Sequence, residues 1–141
     1  MNEIQKLIPH RPPFLFIDEI VECTGDRIAT RRTVPKDEFW VQGHYPDYPI
    51  MPGVLICEAV FQTGALLMAK RGTGADGKVP VLSRVQGVKL KNPVYPGDVL
   101  DMTVDFKEQV GPAYYLKGKA EAGGRTALTV EFTVTVMERE R

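Results

Sequence analysis

The stretch Pro52–Arg71, PGVLICEAVFQTGALLMAKR, decides the fold. Proline suits the first turn of a helix, where its missing N–H is no loss, and Gly72 and Gly74 supply a stop. Lys70 and Arg71 fall at the C-terminal end, where cations favour the helix dipole. Between these signals Val54, Leu55, Ile56, Val60, Phe61, Leu66, Leu67 and Met68 fall all around the cylinder at 100° per residue. A helix apolar on every side is expected to be buried.

Outward from this helix the chain changes character. Upstream, Phe39–Pro52 is broken by Gly43, Pro46, Pro49 and Pro52, so it reads as an aromatic-rich loop carrying His44. Before it, Phe14–Glu22 reads as a short apolar strand and Arg27–Val34 as its partner through a turn at Gly25. Downstream the period becomes two. Leu100, Met102, Val104 and Phe106 alternate with Asp101, Thr103 and Asp105, and Leu128, Val130, Phe132, Val134 and Val136 alternate with polar residues. Val81–Leu90 and Tyr114–Glu121 read as further strands, and Gly123-Gly124 as a two-residue hairpin turn. The expectation is an α+β fold, a single domain over 1–141, in which a curved antiparallel sheet of about six strands wraps around one long central helix. Such a sheet leaves edges and part of the helix uncovered, so a dimer is expected.

Composition narrows the function. The chain has 141 residues, 43% of them hydrophobic, with 18 basic and 18 acidic side chains and a formal net charge of zero. Disorder and a dedicated nucleic-acid binder are both disfavoured. No membrane span is expected, because the longest unbroken apolar run is Ala65–Ala69. Met1–His10 lacks the apolar core of a secretory signal, and Cys23 and Cys57 stand in no metal-ligand spacing. Free thiols and a cytoplasmic location are the expectation, with a single disulfide as the alternative.

The polar residues inside the apolar helix carry the chemistry. Glu58 and Gln62 are four apart and share a face. A buried carboxyl without a charged partner tends to stay protonated, and Gln62 is placed to orient it. The alternatives are a Glu58 that faces solvent or closes an ion pair across a dimer, and a plain core amide. His44 stands in a rigid loop that leads directly into the helix, and histidine exchanges protons near neutrality. A structural or surface histidine is the alternative. The Gly53 N–H at the helix start is a free donor suited to a developing oxyanion. Base, acid and oxyanion donor together suit removal of a proton alpha to a carbonyl, followed by loss of a beta leaving group. His10, beside Arg11-Pro12-Pro13, reads as structural, Cys57 as a core residue, and Tyr45 and Tyr48 as tunnel-lining or loop-packing aromatics.

His44-Tyr45-Pro46, then Pro49-Ile50-Met51-Pro52-Gly53-Val54-Leu55-Ile56-Cys57-Glu58-Ala59 and Gln62-Thr63-Gly64, resemble the signature of the beta-hydroxyacyl-acyl-carrier-protein dehydratases of the FabZ type. Leu7-Ile8-Pro9-His10-Arg11 and Pro93-Val94-Tyr95-Pro96-Gly97-Asp98 are similar to other segments of that family. The resemblance implies a hotdog fold and conversion of (3R)-hydroxyacyl thioesters to trans-2-enoyl thioesters in fatty-acid synthesis. It implies a catalytic pair His44 and Glu58 drawn from opposite subunits, with Gly53, Val54, Gln62 and Tyr45 on the substrate. No metal or redox cofactor is implied; the acyl chain arrives on the phosphopantetheine arm of acyl carrier protein. The implied assembly is a homodimer or a trimer of dimers. Because that carrier is acidic, Lys70, Arg71, Arg84, Lys89 and Lys91 are candidate docking residues. Gln86-Gly87, Pro80-Val81 and Leu128-Thr129-Val130 depart from the family's usual residues, which bears on chain length rather than reaction type. The rival readings are a hotdog thioesterase, which generally relies on a carboxylate without the His-Tyr-Pro loop, and a non-catalytic acyl-chain-binding module, for which His44 and Glu58 would be dispensable.

Overall fold

The computed structural model describes residues 1–74 and 76–139. Its elements are α1 (Glu3–Leu7), β1 (Glu19–Cys23), β2 (Arg27–Thr33), α2 (Gly53–Lys70), β3 (Val79–Leu90), β4 (Val99–Val110), β5 (Ala113–Ala122) and β6 (Arg125–Met137). The strands form one six-stranded antiparallel sheet in the order β1-β2-β4-β5-β6-β3, and α2 lies against it, chiefly on β2, β4 and β5. The expected α+β architecture of a sheet around one long helix is what forms.

Alternation positions the sheet. In β4, Leu100, Met102 and Val104 are fully buried under α2, and in β6 Leu128, Val130 and Phe132 do the same. The β5–β6 hairpin closes through Gly123 and Gly124, whose φ angles of 60° and 74° are the two positive values that a tight hairpin turn requires. The helix sits close to the sheet because two glycines admit it. A Cβ at Gly64 would come within 2.7 Å of Phe132 Cζ, and one at Gly118 would collide with Val60. At its C-terminal end, Gly72 N–H bonds Ala69 O and Thr73 N–H bonds Met68 O, each at 3.0 Å, which satisfies the last carbonyls.

Three expectations need correction. The segment Phe14–Asp18 is not part of the first strand, which begins only at Glu19. Its backbone is claimed elsewhere: Phe16 N–H bonds the Gln62 side chain and Asp18 N–H bonds Arg31 O. Pro52 is the residue before the helix rather than within its first turn, with ψ 134° and no side-chain cap. Finally, α2 is apolar all round but only half buried. Ile56, Ala59, Val60, Leu66, Leu67 and Met68 face the sheet, whereas Val54 is 77% exposed and Leu55, Cys57, Phe61 and Ala65 remain partly open. The sheet curls round one side of the helix and leaves the other partly open.

Among the described residues, α2 is also the one helix long and apolar enough to cross a membrane, which the count of unbroken apolar residues overlooked. The apolarity of its inner face is accounted for by packing against the sheet.

At one edge of the sheet, β3 is paired on one side only, with β6. It is twelve residues long and exposed from Pro80 to Leu90, including Val81, Leu82, Val85, Val88 and Leu90. A long apolar edge of this kind is a template for pairing with another chain.

Candidate active site

The loop that carries His44 is held from beneath by a buried ion pair. Arg32 on β2 meets Glu38 through both terminal guanidinium nitrogens, at 2.9 Å for Nη1 and closer still for Nη2, and Trp40 Nε1 donates to the same carboxylate at 2.7 Å. The Arg32 guanidinium also stacks 5.1 Å from the Phe16 ring centroid. With Trp40 thus fixed, its carbonyl accepts the N–H groups of Gly43 at 3.2 Å and His44 at 2.8 Å. Tyr45 then takes a left-handed conformation, φ 58°, which is rare for a bulky residue and turns the loop back toward α2. Tyr48 Oη and Tyr95 Oη, 2.5 Å apart, brace the far side of that turn, and the shared hydrogen bond raises the Tyr95 phenol above its ordinary range.

His44 Nδ1 lies 2.7 Å from the Ile50 carbonyl oxygen. A carbonyl can only accept, so Nδ1 carries the hydrogen and Nε2 keeps a free lone pair. His44 lines a cavity of about 310 Å³ with Tyr45, Gly53, Ile56, Leu90 and Lys91. Gly53 is the first residue of α2, and the opening N–H groups of a helix have no intrahelical acceptor. The cavity therefore presents a proton acceptor and the positive end of a helix dipole together.

Glu58 lies elsewhere in the chain, in a second, mostly apolar cavity of about 160 Å³ with His10, Phe61, Ala65, Leu82 and Phe132. Gln62, 1% exposed, donates from Nε2 to Glu58 Oε2 at 3.0 Å and to Phe14 O at 3.0 Å. Its Oε1 accepts Phe16 N–H at 2.9 Å. The amide is therefore locked, and the carboxyl beside it with it. Cys57, next along the helix, has its thiol pushed up from the ordinary range by burial first and by Glu58 second, so it stays a protonated thiol.

One chain thus places His44, Tyr45 and Gly53 together and sets Glu58 apart from them. Gln62 lies beneath Glu58 rather than on a cavity wall, and Val54 lines neither cavity. Of the basic candidates, Lys91 lines the His44 cavity and Lys89 and Arg84 lie on exposed β3. Lys70 pairs with Glu3 at 3.2 Å, and Arg71 pairs with Asp26 at 3.0 Å and stacks on Phe106. Both stand at the helix end remote from His44. The residue that sequence reasoning set aside is His10, whose Nε2 stands 3.7 Å from Glu58 Oε2.

Comparison with known proteins extends this picture. The model of the FabA-like domain family matches residues 8–131. The chain is 38% identical to the 3-hydroxyacyl-[acyl-carrier-protein] dehydratase FabZ of Oleidesulfovibrio alaskensis, covering 99% of this chain and 92% of that protein. The corresponding dehydratase of Anaeromyxobacter dehalogenans is 39% identical, covering 98% and 90%, and that of Clostridium perfringens is 36% identical, covering 96% and 97%. Among solved structures, the dehydratase heterocomplex ApeI:P from Xenorhabdus doucetiae superposes with a TM-score of 0.79 at 14% identity, over 99% of this chain and 93% of that one. The E. coli PaaI protein superposes with a TM-score of 0.69 at 14% identity, over 83% and 81%. At such identity these structures speak for a shared hotdog fold.

Proposed function

The chain belongs to the FabA-like domain family, and from that premise we propose that it is a 3-hydroxyacyl-[acyl-carrier-protein] dehydratase of fatty-acid synthesis whose site is completed by a second copy of itself. His44 is the base and Glu58 of the partner copy the acid. The observation that carries the shared site is the placement of β3. Its first residues, Pro80 and Leu82, wall the Glu58 cavity, and its last, Leu90, walls the His44 cavity. If two β3 edges pair antiparallel about a twofold axis, the start of one strand lies beside the end of the other. The Glu58 half of one copy then faces the His44 half of its partner, and the partly open side of α2 is covered in the same step.

The chemistry follows from the protonation states. His44 Nε2 removes the proton alpha to the thioester carbonyl, and its Nδ1–H remains on Ile50 O. The electron pair moves toward the carbonyl oxygen, where the Gly53 N–H and the helix dipole stabilise the developing charge. Glu58 gives its proton to the beta hydroxyl, which leaves as water as the alpha–beta double bond forms. His44 ends protonated and Glu58 ionised, and a proton passing back between them through solvent resets the site. These steps need no metal or redox cofactor. The acyl chain is delivered on the phosphopantetheine arm of acyl carrier protein, with Lys91 beside the cavity as the first carrier contact, and the reaction belongs to the cytoplasm.

The test is turnover of 3-hydroxybutyryl and longer hydroxyacyl-carrier substrates, followed by enoyl absorbance, with His44→Ala and Glu58→Gln each inactive. Mixing the two variants should restore about a quarter of wild-type activity, because half of randomly exchanged dimers carry one intact site. No recovery after confirmed subunit exchange refutes the shared site. Release of free thiol in place of enoyl product refutes the dehydratase and points to a thioesterase. Carrier binding without turnover would instead mark a binding module.

A further inference from the structure

His10 is the titratable group that shares a cavity with the proposed acid, and the assignment that follows rests on Glu58 being that acid. The segment bearing it is pinned on both sides. Arg11 Nη1 donates to Ile8 O at 2.9 Å and to His10 O at 2.7 Å, and Phe14 N–H bonds Arg11 O at 2.8 Å. Phe14 and Phe16 are then tied to the Gln62 side chain. The imidazole therefore has a fixed place above Glu58, in a cavity whose remaining described wall residues, Phe61, Ala65, Pro80, Leu82, Phe132 and Val134, carry no charge.

The two ring nitrogens have different surroundings. Nδ1 is buried with no hydrogen-bond partner, so a hydrogen placed there would be a buried, unsatisfied donor. Of the two neutral tautomers, the one with its hydrogen on Nε2 avoids that stranded donor, and Nε2 is the atom that faces Glu58 Oε2 at 3.7 Å. That gap exceeds hydrogen-bond length, and contacts of this kind commonly tighten only with substrate bound. Gln62 already donates to the same Oε2 at 3.0 Å, while no hydrogen bond from a described residue reaches Oε1. In a Glu58 that carries the acid proton, an oxygen that accepts two donors is the carbonyl oxygen, and the proton stands on Oε1.

We infer that His10 is a positioning residue for Glu58: as the neutral tautomer it joins Gln62 in donating to Oε2, so that the acid proton stands on Oε1, the oxygen left free to meet the leaving hydroxyl. Without His10 only the Gln62 donor is left to hold the carboxyl against turning over and presenting its bare oxygen.

The experiment compares wild type, His10→Ala, His10→Gln and Glu58→Gln on the hydroxybutyryl carrier substrate, with thermal midpoints measured in parallel. His10→Ala should lower kcat about tenfold with KM within about twofold. His10→Gln, which can return an uncharged N–H donor at similar reach, should recover most of that loss. A His10→Ala protein with wild-type kcat overturns the assignment, as does a folded His10→Gln that recovers nothing, or a loss that falls on KM. If Glu58→Gln itself keeps wild-type kcat, the acid role of Glu58 fails first. If Glu58→Gln is inactive and His10→Ala is not impaired, the His10 assignment alone fails.

Discussion

Arg32 and Glu38 form a two-pronged ion pair under the loop that carries His44, with their side chains only 4% and 9% exposed. Removing one partner leaves the other charge buried and unpaired. Glu38→Ala is expected to lower stability by about 3 to 5 kcal/mol, whereas Arg32→Met combined with Glu38→Met should cost less than the single change. Urea unfolding of the three proteins checks the order.

Gln62 serves three partners at once, so its loss is expected to be felt twice. Gln62→Ala frees the Glu58 carboxyl and strands the Phe16 N–H and Phe14 carbonyl. A stability loss of about 2 to 4 kcal/mol should accompany a fall in kcat. Gln62→Glu cannot supply the amide donors when ionised, and it is expected to lose kcat as severely despite its similar size. Calorimetry and turnover on the same preparations separate the two effects.

Much of this was legible in the sequence, for reasons that are local. The alternation of β4 and β6, the paired glycines between β5 and β6, and the stop after Lys70 are set by neighbours along the chain. Glu58 and Gln62 are one helical turn apart, so their contact was legible as well. What escaped depends on residues far apart in sequence. Phe14–Asp18 has strand-like composition, but a glutamine 46 residues away takes the Phe16 N–H. His10 looked structural because nothing near it in sequence says that it rests against Glu58. Nor does an apolar helix record which of its sides its own sheet will cover.

The β3 edge should be indispensable to assembly. Val81→Lys with Val85→Lys places two charges on the exposed apolar strand without touching either cavity wall. Sedimentation should show a shift toward the monomer, and activity should fall in step with the dimer fraction. Full activity from a monomeric double variant would contradict the shared site.

Cys57 offers a reading of pH. Burial and the neighbouring Glu58 both disfavour its thiolate, so its folded pKa lies above its unfolded value. The unfolded thiol therefore loses its proton first as pH rises, and the stability from this group, full below the unfolded pKa, is lost as pH climbs through the folded one. Alkylation at pH about 8 should accordingly be slower in the folded protein than in denaturant, and Cys57→Ala should flatten the alkaline fall in thermal midpoint.

The tight seat of α2 on Gly64 and Gly118 has a consequence for any greasy cargo. With Phe132 and Val60 already in contact range, a hydrocarbon tail cannot thread between helix and sheet at Gly64 or Gly118. In the proposed dimer a tail would instead run along the outward flank of the helix, past Val54, Phe61 and Ala65, which one chain alone leaves open or partly open to water. In the proposed dimer, the ruler that sets the length of lipid handled is then the seam between the two copies, and it can be recut without disturbing the interior of either.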